Sequence, residues 1–447
     1  MARTRVAIIG AGSGGFTLSL INDICLTPNL HGSAVALMDV NEDRLDDTYQ
    51  ICARFADQVG VDLTFEKTTD RRAALRGAEF VINTALVDGP RRLGEGWAIA
   101  ERHGVKWGGS YHILYDEPFW LNFYQLRLFE AIAQDMLDLC PDAWLLLVSN
   151  PVLAGTTFLT REYPELKMVG LCHGYSGVYE IADVLGLDRE HLTYEIPGVN
   201  HFVWLTRLYH KGQDVFPMID RWLESQAEKH WETHPEGTLG RKKMDLYKKL
   251  GVIGIGDTAS ITGASWPWWY HSDAAVEKRW GTDSREWWHG YLDMMRTAPA
   301  RLRETARRPE GLAHRDDMQL TGEPMIPIIE SIACDIPRVI IANIQNRGEF
   351  VPGIPGDFEV EVPTLVSGRG VQGIETTPLP RAVVAHMLRD RVAPVEIELE
   401  AYQMGSRALL THLVMTDKWI TSEQQASDLI DEVFSRPYHA ELREHYR

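Results

Sequence analysis

Five cysteines in 447 residues, scattered at Cys25, Cys52, Cys140, Cys172 and Cys334, are too widely spaced, and odd in number, for a disulfide framework. Reduced thiols are expected. No apolar run approaches the ~20 residues of a membrane span. The chain passes from Met1-Ala2-Arg3-Thr4-Arg5 straight into an apolar strand pattern, with no room for a signal peptide, so a cytoplasmic location is expected. Positive charge is scarce: 45 Lys and Arg against 63 Asp and Glu give a formal charge of −18, and no basic stripe or tail offsets the deficit. That argues against nucleic acid or an acidic membrane surface as partner. Internal repeats and low-complexity tracts are missing as well. What remains is a globular chain, 45% hydrophobic and longer than one core keeps growing, for which two lobes are expected.

The strand pattern Val6-Ala7-Ile8-Ile9 runs into Gly10-Ala11-Gly12-Ser13-Gly14-Gly15 and on into the helical pattern Phe16-Thr17-Leu18-Ser19-Leu20-Ile21. Glycines at a strand-to-helix turn let backbone N–H groups approach a pyrophosphate, so Gly10, Gly12, Ser13, Gly14 and Gly15 form a candidate dinucleotide loop. A second strand pattern, Ala34-Val35-Ala36-Leu37-Met38, ends at Asp39, close to the ~20-residue offset at which a carboxylate takes the ribose hydroxyls of NAD. A carboxylate there would repel a 2′-phosphate, which favours NAD over NADP.

The alternation continues with a helix over 42–59, a strand over 63–67, a helix over 71–75 and a strand over 80–85. A polar, glycine-rich stretch over 87–118 interrupts it, followed by a helix over 121–139 and strands over 143–148 and 167–171. This pattern predicts an α/β fold whose residues 1–191 form an NAD-binding, Rossmann-like, doubly wound parallel sheet, as in the lactate and malate dehydrogenase superfamily. Ligands of such sheets bind beyond the carboxyl ends of the strands. Asn83, Thr84, Asn150, Cys172 and His173 all fall at or near such ends, so one cleft could collect them beside a nicotinamide. From residue 192 a hairpin pattern, charged helices and a tryptophan-dense segment lead to strand patterns over 339–344 and 358–362, then to helices beyond Pro380. Residues 192–447 are expected to form an α+β lobe for substrate and oligomerisation.

Cys172-His173 closes one strand, and Asn200-His201 follows in the next segment. One thiolate and one imidazole would leave most positions of a divalent ion open, which suits a metal that must also hold substrate oxygens. A closed structural zinc site would need two more ligands nearby, and no Cys-x-x-Cys or His-x-x-x-His companion adjoins Cys172 or His201. On spacing alone, a core cysteine and a turn histidine account for the pair equally well.

Taken in order, Gly10-Ala11-Gly12-Ser13, Met38-Asp39-Val40-Asn41-Glu42-Asp43-Arg44-Leu45, Val81-Ile82-Asn83-Thr84-Ala85, Ser149-Asn150-Pro151, Gly170-Leu171-Cys172-His173-Gly174-Tyr175 and Gly198-Val199-Asn200-His201-Phe202 resemble the NAD- and metal-dependent glycosidases of glycoside hydrolase family 4 and the related NAD-dependent sulfoquinovosidases. The resemblance implies Cys172 and His201 as ligands of a divalent metal, manganese first, and a homo-oligomer, dimer or tetramer. It also implies a route unlike the two-carboxylate scheme. Hydride leaves C3 of the sugar for NAD⁺, the C2 proton is removed while the metal holds O2 and O3, the glycosidic oxygen is eliminated, water adds, and the hydride returns. By the same likeness Asn150 orients the sugar near the nicotinamide, while Asn200 and His173 contact its hydroxyls. The base is Asp257, in Gly254-Ile255-Gly256-Asp257-Thr258-Ala259-Ser260, or else Tyr270 or His271; Asp257 could equally cap the segment that follows it.

Asparagine or aspartate after the metal cysteine goes with 6-phospho sugars in the family, and histidine with non-phosphorylated ones. His173-Gly174-Tyr175 therefore resembles the group acting on sugars with another anion at C6. An α-sulfoquinovoside is the first expectation, an α-glucuronide or α-galacturonide the alternative. A sulfonate wants Arg, His or indole N–H donors, for which Arg91, Arg92, Trp107, His112 and the segment Trp266-Pro267-Trp268-Trp269-Tyr270-His271 are candidates. Core or subunit packing is the competing role for those tryptophans. An NAD-dependent sugar dehydrogenase and a non-catalytic dinucleotide sensor are the competing function classes; only the former would consume NAD⁺.

Overall fold

Parallel strands buried on both faces need apolar side chains at successive positions, and the first half of the chain supplies them. The computed structural model describes residues 2–108, 110–260, 266–308 and 318–447. Six strands, β1 (Arg5–Ile9), β2 (Ala34–Met38), β3 (Thr64–Thr68), β4 (Phe80–Asn83), β5 (Trp144–Leu147) and β6 (Lys167–Gly170), lie parallel in the order β3-β2-β1-β4-β5-β6. Alternation assigns the two faces: Val6, Ile8, Val35, Leu37, Ile82 and Leu146 enter one core cluster. Ala7, Ile9, Ala36, Val81, Leu145 and Leu147 enter the other. The strand order reverses between β1 and β4, which opens a crevice at their carboxyl ends. The fold is thus the doubly wound, Rossmann-like sheet expected from the sequence.

The sheet does not stop at residue 191. Beyond β6 it continues through Arg338–Gln345, Glu359–Ser367, Gly198–Val199, Phe202–Leu205 and Ile253–Ile255, each antiparallel to its neighbour. The hairpin expected around 193–210 is divided accordingly. Leu192–Glu195 pairs Arg207–His210 in a separate small sheet, whereas Phe202–Leu205, buried at every position, joins the large one.

The stretch over 87–118 contains a helix, Gly89–Arg102, where only a polar, glycine-rich interruption was expected. Leu93, Trp97 and Ala100 form its buried stripe, and Pro90 sits in its first turn. Gly96 acts in contact: a Cβ there would stand 2.3 Å from the Trp120 ring, so glycine permits close helix packing without breaking the helix. Among the described residues no helix is long and apolar enough to cross a membrane.

Candidate active site

Two features meet at the crevice. The first is the glycine loop. Gly10 takes φ 88, in the left-handed region, and a Cβ there would lie 2.6 Å from the Ala85 backbone. Gly14, N-cap of the helix Gly15–Cys25, carries no side-chain cap, so the first-turn N–H groups stay available to an anion. Asp39 receives Gly12 N–H at 2.9 Å and Asn41 N–H at 2.8 Å, so its carboxylate braces the loop at the end of β2. Thr84 Oγ1 donates to Ile9 O, and Asn83 Nδ2 donates to Ser149 Oγ, tying the ends of β1, β4 and β5 together. The long helix Arg285–Arg307 packs over this loop: a Cβ on Gly14 would touch Leu302, and Arg54 holds the helix's last-turn carbonyls at Thr305 and Ala306.

Asp39→Ala is expected to weaken NAD⁺ binding about 10- to 100-fold, the loss of hydrogen bonds to a charged group. Discrimination against NADP⁺ should relax at the same time. Calorimetric titration with both nucleotides checks it; unchanged Kd values for both would remove Asp39 from the ribose site.

The second feature is a buried cluster around His201. Its imidazole stands on the two-residue turn between Gly198–Val199 and Phe202–Leu205, in the left-handed region at φ 58, which histidine tolerates better than most residues. Nδ1 lies 2.8 Å from the Tyr115 hydroxyl and 3.2 Å from Glu117 Oε1. Nε2 lies 3.5 Å from Asp257 Oδ2, and Cys172 hydrogen-bonds the same ring. Ligand atoms of Asp116, Glu117 and His201 fall within 4.8 Å of one another. Asn150 Nδ2 donates to Asp116 Oδ2 at 2.7 Å, and Asn200 Nδ2 to Glu361 Oε2 at 2.9 Å.

This is too much buried negative charge for one imidazole. Burial, then the neighbouring Glu117, pushes the Asp116 carboxyl up to about 7. Burial likewise raises Glu361 to about 7, and burial with the charge of Glu361 holds Glu359 well above the carboxylate range. Burial opposes charge on His201, but Cys172, Glu117 and Asp257 outweigh it and raise the imidazole. Asp116 Oδ1, Glu359 Oε1 and Glu361 Oε1 are buried with no hydrogen-bond partner among the described residues. Orphaned carboxylate oxygens beside a thiol and an imidazole fit a divalent transition-metal ion, which would neutralise them.

The structure brings Cys172, His201, Asn150, Asn200 and Asp257 together. His173 adjoins them with a side chain 71% exposed, 3.5 Å from Glu323. Other expected groups are engaged elsewhere. Tyr270 donates to Asp245 and accepts from Lys249, and His271 faces Lys242. Arg91 pairs with Asp88, and Arg92 faces His439. Trp107 N–H reaches Glu101, and Trp266 N–H reaches Asp390. His112 is buried 3.4 Å from Glu398. Asp116, Glu117 and Tyr115 went unnoticed in the sequence. Their signal was an acid pair directly before Pro118 and flanked by apolar runs, Ile113-Leu114-Tyr115 and Phe119-Trp120-Leu121. Tyr291, on Arg285–Arg307, also feels the charges of Asp116, Asp257 and His201.

Comparison with known proteins agrees with this architecture. An alpha-galactosidase of Bacillus subtilis (strain 168) is 32% identical over 449 residues, 96% of this chain and 97% of its own. An alpha-galacturonidase of Lachnoclostridium phytofermentans is 25% identical over 85% of this chain and 84% of its own. Among solved structures, a 6-phospho-alpha-glucosidase from gut microorganisms, in complex with NAD and Mn²⁺, superposes with a TM-score of 0.78 at 18% identity, covering 97% of each chain. The fold extends to a lactate dehydrogenase of Eimeria maxima, TM-score 0.55 at 15% identity, covering 91% of this chain and 98% of that one. Residues 5–187 match the model for family 4 glycosyl hydrolases and residues 196–420 match that family's C-terminal domain. The chain belongs to glycosyl hydrolase family 4.

Proposed function

We propose that this protein is an NAD- and Mn²⁺-dependent α-glycosidase acting on sugars with an anionic C6 group, α-sulfoquinovosides first. The observation that carries the reading is the meeting, at one strand edge, of a dinucleotide loop with a buried thiol, imidazole and carboxylate cluster. Cys172, His201, Asp116 and Glu117 would hold the metal. When bound, the dinucleotide supplies a reversible hydride acceptor and the metal a Lewis acid for adjacent sugar oxygens. Asn150 and Asn200 are held by Asp116 and Glu361 at the edge of the cluster, where they orient sugar hydroxyls. Asp257, beside His201 but 30% exposed, would take a proton from C2 and pass it to water. An internal, self-reversing redox step explains a dinucleotide loop in a family of hydrolases.

The α-galacturonidase relative favours a second reading in which the C6 group is a carboxylate. Aryl α-glycosides bearing sulfonate, carboxylate, phosphate or hydroxyl at C6, assayed with substoichiometric NAD⁺, decide between them. The sulfonate should lead the others in kcat/KM by about tenfold or more, the worth of one good charge-assisted contact. Many turnovers per NAD⁺ are expected, with no net NADH. A leading carboxylate would select the galacturonide reading, and NADH released mole for mole would make the protein a sugar dehydrogenase.

A further inference from the structure

The helical run over residues 381–404 is broken by a π turn, Leu388–Val392, between the helices Arg381–Met387 and Ala393–Met404. Such turns add one residue to a helix and frequently stand at functional sites. This one holds Arg391, only 2% exposed. Its Nη1 donates to Asp390 O at 2.9 Å, while Nε and Nη2 are buried with no hydrogen-bond partner among the described residues. Among the same residues no carboxylate lies within 4.0 Å of the guanidinium; that of Asp390, its neighbour in sequence, is taken by Arg389 and by Trp266 N–H. A buried cation without a counter-ion is costly, and an apolar side chain of similar length often serves stability as well or better.

The surroundings of Arg391 account for the cation. Its guanidinium carbon lies 4.5 Å from the centre of the Tyr111 ring and 4.9 Å from that of Phe202, over the faces of both. Each ring leads to the cluster. Tyr111 donates its hydroxyl to Glu117 Oε2 at 2.7 Å, which leaves Oε1 to face His201 Nδ1 at 3.2 Å. Phe202 directly follows His201 and opens the strand that holds its turn. The Tyr111 ring also packs, centre to centre at 5.3 Å, on Tyr115, whose hydroxyl reaches the same imidazole nitrogen. Glu117 and His201 come from segments more than eighty residues apart, and Arg391 from a third that contacts both through these rings.

We infer that Arg391 is a positioning residue of the metal centre, which docks on Tyr111 and Phe202 and sets the carboxylate of Glu117 against the imidazole of His201. The assignment rests on the reading of Glu117 and His201 as metal ligands. The guanidinium hydrogen-bonds neither of them, so its effect reaches the metal through the Tyr111 hydroxyl and the His201 turn.

The test reads the centre in the full chain with NAD⁺, using Co²⁺ in place of Mn²⁺ because the visible bands of Co²⁺ report ligand set and geometry; it needs no turnover. Three variants are compared: Arg391→Met, which keeps length without charge, Tyr111→Phe, which removes the hydroxyl alone, and Glu117→Gln, which removes the charge of the ligand itself. Glu117→Gln should displace the bands or abolish them. Arg391→Met and Tyr111→Phe should each displace them, and the double variant no further than the larger single, because both act along one path. Arg391→Lys, which returns a cation to the rings, should recover most of the wild-type spectrum. With saturating Mn²⁺, kcat should fall about 10- to 100-fold in Arg391→Met, the usual cost of losing an outer-shell partner, with the larger share of the loss in kcat rather than in KM for the glycoside. A wild-type Co²⁺ spectrum in Arg391→Met, with Glu117→Gln displaced, would overturn the assignment alone and leave Arg391 a packing residue. Wild-type bands in Glu117→Gln would overturn the metal reading of that carboxylate, and the assignment with it. Should Arg391→Met fail to fold, Tyr111→Phe decides: bands that do not move there break the path and overturn the assignment.

Discussion

Cys172→Ser and His201→Ala are each expected to lower kcat/KM by about 10³-fold or more, since a Lewis acid stabilises developing charge by several kcal/mol. Far-ultraviolet circular dichroism should be nearly unchanged, because an open catalytic centre adds little to the core. Neither residue lies within a strand: Cys172 follows β6, and His201 occupies a turn. Metal content after dialysis should fall with activity. Chelation of the wild type should reproduce the loss and Mn²⁺ reverse it. The carboxyls add a pH signature. With Asp116 and Glu361 raised to about 7, both are largely protonated in the metal-free protein below that pH, so Mn²⁺ binding must expel the proton of Asp116, a proposed ligand, and its charge disfavours that of Glu361. Proton release per metal should be largest below pH about 7 and fall above it by the carboxyls' share, with the raised Cys172 thiol and His201 imidazole still giving up theirs, while metal affinity rises with pH over the same range. The sign for folding is opposite. A carboxyl raised in the fold contributes stability present below its unfolded pKa of about 4 and lost as pH rises through about 7, so the metal-free protein should melt lower at pH 8 than at pH 5. Full activity in exhaustively metal-free protein would remove the Lewis acid from the reaction.

What could be read from the sequence follows the range of the interactions. The glycine loop was legible because its requirement is local: a tight turn between a strand and a helix, with φ 88 at Gly10. The motifs singled out Cys172 and His201, and the fold brings the two side chains together. Asp116 and Glu117 were not legible, because their role depends on a turn more than eighty residues away in sequence bringing His201 to within 3.2 Å of Glu117. The continued sheet has the same cause. Asn343 pairs with Gly170, a contact that no local pattern near β6 announces. The helix Gly89–Arg102 was hidden because Gly94 and Gly96 resemble turn residues, yet they make room for Arg296 and Trp120. The aromatic and arginine donors beyond the loop were chosen by chemistry alone, and the fold ties most of them to carboxylates such as Asp88, Asp390 and Glu101.

In heavy water the sugar released by this protein should carry deuterium at C2, because elimination breaks the C2–H bond and the addition of water makes a new one. Direct displacement at C1 leaves C2 untouched. Substrate deuterated at C2 or C3 should turn over more slowly, by a primary isotope effect, if either cleavage limits the rate. Asp257 stands at the point where these outcomes become a residue-level test. Its carboxylate is 3.5 Å from His201 Nε2, on the loop after Ile253–Ile255, and is both partly exposed and next to the cluster. Asp257→Asn keeps the shape and removes the base, so kcat should fall about 10²- to 10⁴-fold, the usual worth of a positioned base. The loss should fall unevenly: C2 exchange should drop more than the first hydride transfer, and reduced cofactor should accumulate in a single turnover. A capping role for Asp257 predicts the reverse, a lower thermal midpoint with both steps slowed alike. If Asp257→Asn hydrolyses at the parental rate, the proton goes to another group, and Tyr291 is the next to replace because it shares the electrostatic field of Asp116 and His201. Tyr270 is the weaker alternative, since its hydroxyl is already held between Asp245 and Lys249. If the wild type releases sugar with no solvent deuterium, the dependence of rate on the aryl leaving group separates a shielded proton from one never removed. Elimination limited by C–H cleavage is insensitive to the leaving group, whereas displacement at C1 accelerates as the leaving group becomes more acidic.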